Sequence, residues 1–328
     1  MGLEITARLR AFLFAVSLAV AVGQQAQAVE FKALTIKVGY GAGGGYDQSS
    51  RLIARPLGRF LPGNPGIVVQ NVPGGGSLKL TKMLLSSEPA DGSVVAAISE
   101  AMFYAPILDP KNANFDPHAL RWIGSLVDDA AYCLTSKSSG IDTMDKFVHS
   151  DFLIGSSGKS SSTYVFAALA RNGVKAKFNI VTGFDGTADI ELAMQRGEIA
   201  GVCGVQNYVL RASPDINTIG VFGRSADGSA PSIADSIVDP TERQAADLIQ
   251  SSLHIHHPLV APPGTPKETL DALRKAYSEM TKDPAFLADA QKLEQIVAPT
   301  SGEAIDRLVT EQLKAAPEVF EAARNLVK

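Results

Sequence analysis

The fold class of this chain is decided by the stretch Gly39-Tyr40-Gly41-Ala42-Gly43-Gly44-Gly45-Tyr46-Asp47. An alternating apolar run, Leu34, Ile36 and Val38, comes directly before it and predicts a strand, and a helical pattern follows it. A glycine-rich turn at this point offers bare backbone N–H groups and the positive end of a helix to an anion. The first prediction is therefore a backbone cradle for a small, negatively charged molecule.

Strand and helix patterns alternate on both sides of that turn. Strands are predicted near residues 34–40, 67–72 and 93–98, and helices near 47–61 and 77–87. A second glycine turn, Pro73-Gly74-Gly75-Gly76, follows the middle strand. Because strands and helices that alternate at this spacing form βαβ units, we expect a parallel sheet flanked by helices.

The middle of the chain repeats this pattern and predicts a second open parallel sheet of similar size. Its strands are expected near residues 131–135, 152–154, 178–181, 199–203 and 218–222, and its helices near 163–171 and 188–196. The hydroxyl-rich run from Ser156 to Thr163 lies between a predicted strand and a predicted helix. Its N–H and O–H donors are expected to converge on one point at the start of that helix.

The N-terminus has the pattern of a secretory signal peptide. Arg8 and Arg10 precede an apolar run from Ala11 to Val22, and Ala26-Gln27-Ala28 provides a cleavage site. We therefore expect residues 1–28 to be removed near Ala28 and the mature chain to be exported as a soluble protein of 300 residues. That length is typical of two domains.

The charge balance excludes whole classes of partner. The formal net charge is −4 for the full chain and −5 without its first 28 residues, which carry Glu4, Arg8 and Arg10. Such a chain has no basic footprint for nucleic acid or for an anionic membrane surface. An anion site must therefore be local and built from backbone and hydroxyl groups.

The two cysteines, Cys133 and Cys203, each lie in a short apolar, strand-like run. An oxidising compartment permits a disulfide between them. We expect two buried free thiols, with the disulfide as the alternative if the two strands are neighbours in the sheet.

Enzyme motifs are present only in fragments. Gly39-x-Gly41-x-x-Gly44 satisfies the dinucleotide pattern, but the second strand ends in Gln70-Asn71 without the acidic residue that holds the ribose. Ser156-x-x-Lys159 matches a hydrolase nucleophile pair, but no Lys-Thr-Gly or Ser-Asp-Asn partner follows it. These gaps favour a binding protein without cofactor over an enzyme.

The histidines give no metal site. His254, His256 and His257 form a cluster, yet neither a carboxylate nor a cysteine with ligand spacing lies near them in sequence. We expect them at the surface or at a hinge, with no metal bound.

The first glycine loop and four later motifs resemble, in their order and spacing, the motifs of the periplasmic receptors of tripartite tricarboxylate transporters, the Bug-type receptors. The first loop matches the family's Gly-Gly-Gly-x-Asp turn. The later matches are Val69-Gln70-Asn71-Val72-Pro73-Gly74-Gly75-Gly76, Pro89-Ala90-Asp91-Gly92, Ala261-Pro262-Pro263-Gly264-Thr265-Pro266 and, near the end, Asp283-Pro284 with Thr300-Ser301. The resemblance covers nearly the whole mature chain.

The resemblance implies a type II, two-lobed Venus-flytrap α/β fold, in which each lobe is an open, mostly parallel sheet flanked by helices. Lobe 1 would combine residues 29–128 with 250–328, and lobe 2 would comprise 129–249, with crossings near 124–134 and 248–258. The ligand would lie in the cleft between the lobes.

The resemblance also implies which residues bind the ligand. From lobe 1 these would be Tyr40, Ala42, Gly43, Gly44, Tyr46, Asp47, Ser99 and Glu100. From lobe 2 they would be Ser157, Ser160, Ser161, Ser162, Thr163, Tyr164, Phe184, Asp185, Gly186 and Thr187. Asp47, as an anion, is expected to cap the first helix and shape its loop rather than to touch a negatively charged ligand.

Three departures from the family's pattern bear on the ligand. Tyr46 stands where the family commonly has Thr, Tyr164 where it usually has His, and Gly183-Phe184 where it has Pro-Tyr. They suggest a flatter or more apolar ligand than a small aliphatic diacid, although Tyr46 could equally be a lid over a small one.

The resulting hypothesis is an exported, monomeric, non-catalytic receptor. It would capture a small-molecule carboxylate and present it to the subunits of an inner-membrane transporter. One alternative is a sensor that docks to a membrane signalling partner, and another is a secreted serine hydrolase that uses Ser156 and Lys159.

Overall fold

A computed structural model of the chain describes residues 29–206, 208–223, 228 and 230–328, with the side chains of 208 and 209 left out. The predicted signal peptide, residues 1–28, lies outside the described residues. Within the described part, no helix is long and apolar enough to cross a membrane.

The described residues form eleven strands in two sheets. In chain order the strands are β1 (Ala33–Val38), β2 (Gly66–Asn71), β3 (Val94–Ala97), β4 (Arg121–Val127), β5 (Ala131–Ser136), β6 (Leu153–Ser156), β7 (Asn179–Thr182), β8 (Gly201–Val205), β9 (Ile216–Phe222), β10 (His256–Ala261) and β11 (Thr300–Ser301). The first sheet has the order β11-β4-β10-β3-β1-β2, and the second has the order β7-β6-β8-β5-β9.

Twelve α-helices in the described part accompany these sheets. They are α1 (Gly45–Leu57), α2 (Leu78–Ser86), α3 (Ala105–Leu108), α4 (Met144–His149), α5 (Ser162–Gly173), α6 (Thr187–Gln195), α7 (Tyr208–Ala212), α8 (Pro240–Gln250), α9 (Lys267–Met280), α10 (Pro284–Lys292), α11 (Gly302–Gln312) and α12 (Pro317–Leu326). The first βαβ units are those predicted, since β1, β2 and β3 pair in parallel with α1 and α2 between them.

The predicted α/β class is confirmed, but both sheets are mixed rather than mostly parallel. In the first sheet β10 runs antiparallel to β3 and to β4. In the second sheet β6 is parallel to β7 and β8, whereas β5 is antiparallel to β8 and β9. The chain passes from the first sheet to the second after β4 and returns at β10. The first strand after each crossing, β5 or β10, runs opposite to the parallel strands of its sheet.

The two cysteines are joined, and the expectation of two free thiols is wrong. Cys133 of β5 and Cys203 of β8 form a disulfide across 70 residues of sequence. β5 and β8 are direct antiparallel neighbours, which is the condition under which the disulfide was the alternative. The disulfide forms because these two strands are adjacent, and the sequence around each cysteine does not reveal which strands are adjacent.

The last helix packs against helices that accompany both sheets. α12 packs against α8, and also against α3 and α5. Near its end, the side chain of Asn172 in α5 donates to the carbonyl of Leu326 at 2.8 Å. The C-terminal helix therefore connects the layer around the second sheet with elements that follow β3.

Candidate functional site

A cavity lies between the two sheets, at the ends of β1, β6, β7 and β8. Ligand sites in open α/β sheets typically occur outside the carboxyl ends of the strands. The volume of the cavity is about 70 Å³. Its walls are formed by Tyr40, Gly44, Gly45, Tyr46, Gln48, Ser157, Ser162, Thr163, Thr187, Gly204, Val205, Gln206, His256, His257, Leu293, Glu294, Gln295 and Ile296.

Three helices begin at this cavity. The first residues of α1 (Gly45, Tyr46), of α5 (Ser162, Thr163) and of α6 (Thr187) all line it. The first N–H groups of a helix have no partner within the helix, and its N-terminus carries a partial positive charge. Among the described residues, no acceptor takes the N–H of Tyr46, Ser162, Thr163 or Thr187. Three helix ends therefore direct unused donors and positive potential at one small volume.

A hydroxyl network supports the side of the cavity formed by the second sheet. The N–H and Oγ of Ser157 each lie 3.1 Å from Oγ1 of Thr163, which also contacts Oγ of Ser161 at 2.8 Å. Ser161 caps α5 by accepting from the N–H of Tyr164. This network fixes the rotamers of the hydroxyl groups before any ligand binds.

The hydrolase alternative is not supported by the position of its two residues. Ser156 is fully buried, and its hydroxyl lies 3.3 Å from the hydroxyls of Ser161 and Thr163. Lys159 is exposed, and neither residue lines the cavity. Ser156 is therefore part of the framework of the loop.

Asp47 holds the first glycine loop from behind. Its carboxylate accepts from the N–H of Gly43 at 2.9 Å, from Nδ2 of Asn71 at 2.9 Å and from Nε of Arg51 at 3.0 Å. Burial opposes ionisation, but Arg51, Gly43 and Asn71 outweigh it and lower the pKa of Asp47 below its usual value. The helix cap is Gly44 rather than Asp47. The predicted capping role is thus wrong, whereas the loop-shaping contact is present.

Some N–H groups of the first loop are already occupied. The N–H of Gly41 donates to the carbonyl of Asp185 at 2.8 Å, and that of Gly45 donates to Oγ1 of Thr187 at 3.3 Å. Asp185 lies in the loop that follows β7 of the second sheet, and Thr187 is the first residue of the helix after that loop, α6. Part of the expected cradle therefore joins the two sides of the cleft.

Aromatic rings form one wall of the cavity. The ring of Tyr46 lies 4.5 Å from that of Tyr40 and 4.4 Å from that of His257, measured between centroids. Its hydroxyl donates to Oε2 of the fully buried Glu100. Because Tyr46 is itself buried and anchored in this way, it is part of the wall rather than a lid.

Glu100 lies behind this wall, between Tyr46 and His256. Its Oε1 is 2.9 Å from Nδ1 of His256. Burial opposes ionisation of Glu100, yet its pKa is lowered because the His256 charge and the Tyr46 hydroxyl outweigh that effect. The same burial, together with the Glu100 charge, raises the pKa of Tyr46 well above its usual value. Glu100 is therefore a carboxylate that accepts from a neutral tyrosine.

His257 is held in an uncommon backbone conformation, with φ of 54°. Its Nδ1 lies 2.8 Å from Oγ of Ser49, which in turn donates to Oε1 of Gln295. Burial, with a contribution from His256, lowers the pKa of His257 well below its usual value. Since the Ser49 hydroxyl has one proton and gives it to Gln295, Nδ1 of His257 donates to Ser49 and Nε2 is left as an acceptor.

The cavity contains seven of the predicted ligand-binding residues. These are Tyr40, Gly44, Tyr46, Ser157, Ser162, Thr163 and Thr187. The other predicted positions do not line it: Ala42, Gly43, Asp47, Ser99, Glu100, Ser160, Ser161, Tyr164, Phe184, Asp185 and Gly186. Some of these support the site from behind, as Asp47 and Glu100 do, while Phe184 packs against the apolar core of the second sheet.

Besides Gly45 and Gln48, which lie next to predicted residues at the start of α1, three groups of lining residues were not predicted. His256 and His257 stand out in the sequence but were assigned to a surface or hinge. The segment Leu293–Ile296 and the end of β8, which continues to Gln206, carry no motif. Nε2 of Gln206 donates to the carbonyl of Asp129 at 2.6 Å, and its buried Oε1 has no donor in the described part of the chain. Tertiary structure alone brings these residues to the cavity.

Two mixed sheets flanked by helices, with a polar cavity between strand ends, define the class of two-lobed ligand-binding proteins. The sequence matches the family described as "Tripartite tricarboxylate transporter family receptor" over residues 51–325. The chain therefore belongs to this family, as its motifs indicated. The matched segment begins after the first glycine loop.

Solved structures show the same fold at low sequence identity. The periplasmic binding protein BugD has a TM-score of 0.72 at 19% identity, covering 90% of this chain and 97% of that one. MatC (Rpa3494) from Rhodopseudomonas palustris, with bound malate, has 0.69 at 18%, covering 90% and 99%. R. palustris Rpa4515, with adipate, has 0.70 at 16%, covering 89% and 97%. No match is found among curated proteins.

Proposed function

We propose that this protein is a periplasmic receptor that captures a small carboxylate in the cavity described above. It then presents the molecule to the inner-membrane subunits of a tripartite transporter. The observation that carries the proposal is the convergence of three helix N-termini with unused N–H groups on one hydroxyl-lined cavity. Charge-assisted bonds from such donors offset the cost of removing a carboxylate from water.

Family membership and the similar structures support the same role. MatC holds malate and Rpa4515 holds adipate, and both are carboxylates. The family consists of receptors rather than enzymes, and Ser156, the nucleophile of the hydrolase alternative, is fully buried and does not line the cavity. We infer that the protein acts as a monomer without catalysis, with residues 1–28 as its export signal.

The proposed lobes follow the two sheets. Lobe 1 (29–128 and 250–328) contains every strand of the first sheet, and lobe 2 (129–249) contains every strand of the second. The contact of α12 with α8 and α5 ties the end of lobe 1 to lobe 2. Ligand binding would favour the closed arrangement by a hinge motion near residues 127–131 and 250–256.

A thermal-shift screen of the purified protein against aliphatic and aromatic carboxylates tests this function. A ligand at 100 times its Kd stabilises the folded state by about 2.7 kcal/mol. We expect a hit that mass spectrometry recovers unchanged. A folded protein that responds to no carboxylate, or that releases a product, would contradict the proposal.

Two serines of one loop provide a matched pair of variants. Ser162 and Ser160 are similarly buried, at 5% and 7% exposure, but only Ser162 lines the cavity. Ser162→Ala should weaken binding of the hit about tenfold, because one donor to the ligand is lost. Ser160→Ala should leave the affinity unchanged. Equal effects of the two variants would place the ligand elsewhere.

A further inference from the structure

The charges around the cavity differ from those of a site built for several negative groups. None of the described residues that line it is a lysine or an arginine. The lining side chains that titrate are Tyr40, Tyr46, His256, His257 and Glu294. Positive potential therefore comes from helix ends and neutral donors, with the two histidines as the only side chains able to carry a positive charge.

The negative charge of Glu100 offsets any positive charge on one of those histidines, His256. The Glu100 carboxylate has no exposed surface and lies 2.9 Å from Nδ1 of His256. Even with His256 protonated, this pair adds no net positive charge to the site. His257 is held neutral by its buried position and by its neighbour His256. No positive side-chain charge is thus left over for a ligand.

The same cavity contains both hydrogen-bond donors and hydrogen-bond acceptors. Hydroxyl and N–H donors come from the starts of α1, α5 and α6. The acceptors are Oε1 of Gln206, which has no donor among the described residues, Nε2 of His257 and the carboxylate of Glu294. A first carboxylate can use the donors, but a second one in the same cavity meets acceptors and the nearby Glu100. A neutral group that carries a hydrogen-bond donor fits that second position better.

We propose that the cavity selects carboxylates with a single negative charge over dicarboxylates, and that Glu100 is the residue that imposes this selection. This inference rests on the proposed function, since it specifies which carboxylates the same cavity accepts. Glu100 acts through Tyr46 and His256, which separate it from the ligand. It is thus a specificity-determining residue without direct ligand contact.

Diacids and their monoamides provide the test, because the two have nearly the same shape and differ by one charge. The pairs are succinate with succinamate, glutarate with glutaramate, and terephthalate with its monoamide. Calorimetric titration at pH 7.5 should give each monoamide that binds an affinity at least tenfold above that of its diacid. A diacid that binds as well as or better than its monoamide would overturn the inference.

Two glutamate variants test whether Glu100 causes the preference for monoamides over diacids. In Glu100→Gln the ratio of the two affinities should fall at least threefold, because the buried negative charge is removed and His256 is released from it. Glu88→Gln makes the same chemical change at a mostly buried carboxylate that pairs with Lys37 and does not line the cavity, so it should leave the ratio unchanged. An unchanged ratio in a folded Glu100→Gln variant, or a larger change in Glu88→Gln, would overturn the role of Glu100.

Proton uptake on binding gives a second measurement that needs only the wild-type protein. If the site rejects a second charge, a bound diacid should take up about one proton, seen as a dependence of the binding enthalpy on the ionisation enthalpy of the buffer. The monoamide should take up none. Tight diacid binding without proton uptake would overturn the inference while leaving the receptor function intact. If no carboxylate of any kind binds, the proposed function itself fails.

Discussion

The backbone N–H of Gly41 donates to the carbonyl of Asp185 at 2.8 Å and so joins the glycine loop after β1 to the loop after β7. The glycine turn after β2 also approaches a loop of the second sheet closely. A Cβ placed on Gly158 would lie 2.7 Å from the backbone of Gly75 and Gly76. The second glycine turn, Pro73-Gly74-Gly75-Gly76, therefore packs against the serine-rich loop. Both glycine turns of the first sheet therefore take part in closing the cleft.

Gly158→Ala should hold the cleft open. The new methyl group meets backbone atoms that cannot move aside, so the closed arrangement becomes less populated and the apparent affinity for any ligand falls about tenfold or more. Small-angle scattering of the ligand-bound protein should show a larger radius of gyration. Gly183→Ala is the control, because Gly183 also has positive φ (116° against 137° for Gly158) but has no atom within 4 Å of the added Cβ. If both variants bind equally well, the Gly158 contact does not limit closure.

Tyr46→Phe should destabilise the fold. The hydroxyl of Tyr46 donates to the buried carboxylate of Glu100, and loss of a hydrogen bond to a charged group costs about 1.5–3 kcal/mol. Urea denaturation measures this change in the free energy of unfolding.

Tyr40→Phe is the matched variant. The Tyr40 hydroxyl is buried near Ser77 and Ser99 but is aligned with no hydrogen-bond partner in the described structure. Its removal should change the free energy of unfolding by less than about 0.5 kcal/mol, or stabilise the fold. A Tyr40→Phe variant as unstable as Tyr46→Phe would contradict the account of the aromatic wall.

The disulfide between Cys133 and Cys203 should contribute substantially to stability. It closes a loop across 70 residues, and the chain-entropy relation gives about 4 kcal/mol for a loop of that length. Reductant should lower the urea midpoint of the wild-type protein. The double variant Cys133→Ser, Cys203→Ser should show the lower midpoint with or without reductant. If the wild-type protein has the same urea midpoint with and without reductant, the disulfide adds nothing to stability.

Local patterns predicted the local parts of this structure. The alternation of Leu34, Ile36 and Val38 marked β1 correctly, and all three side chains are buried. The glycine loop after it and the hydroxyl run before α5 were recognised because each motif lies within a few residues of sequence. These two segments supply six of the seven predicted ligand-binding residues that line the cavity, from Tyr40 to Thr163.

The features that the sequence did not predict depend on contacts between residues that are far apart in the chain. The adjacency of β5 and β8, which makes the disulfide possible, depends on which strands pair across the sheet. The lining segment Leu293–Ile296 approaches Ser49 across more than 240 residues of chain. His256 reaches Glu100 in the same way, through the pairing of β10 with β3. No local periodicity encodes such contacts.

Stability should fall as the pH drops below about 6.5, and His257 should be one cause. Its pKa in the folded state lies well below its ordinary value of 6.5, so between those two values the unfolded chain binds a proton that the folded chain does not. The stabilisation is therefore complete above pH 6.5 and is lost as the pH falls. Glu100 and Asp47, with pKa values lowered from 4.5 and 3.8, lose their contributions only in more acidic solution.

Urea denaturation between pH 7.5 and 5.5 isolates this contribution. His257→Asn should flatten the pH dependence, because asparagine does not titrate and tolerates the positive φ of this position. The control is His149→Asn, since His149 is an exposed histidine at the end of α4 whose side chain is 65% accessible. Its removal should leave the wild-type pH dependence nearly intact. If His257→Asn retains the full loss of stability at pH 5.5, His257 is not its cause.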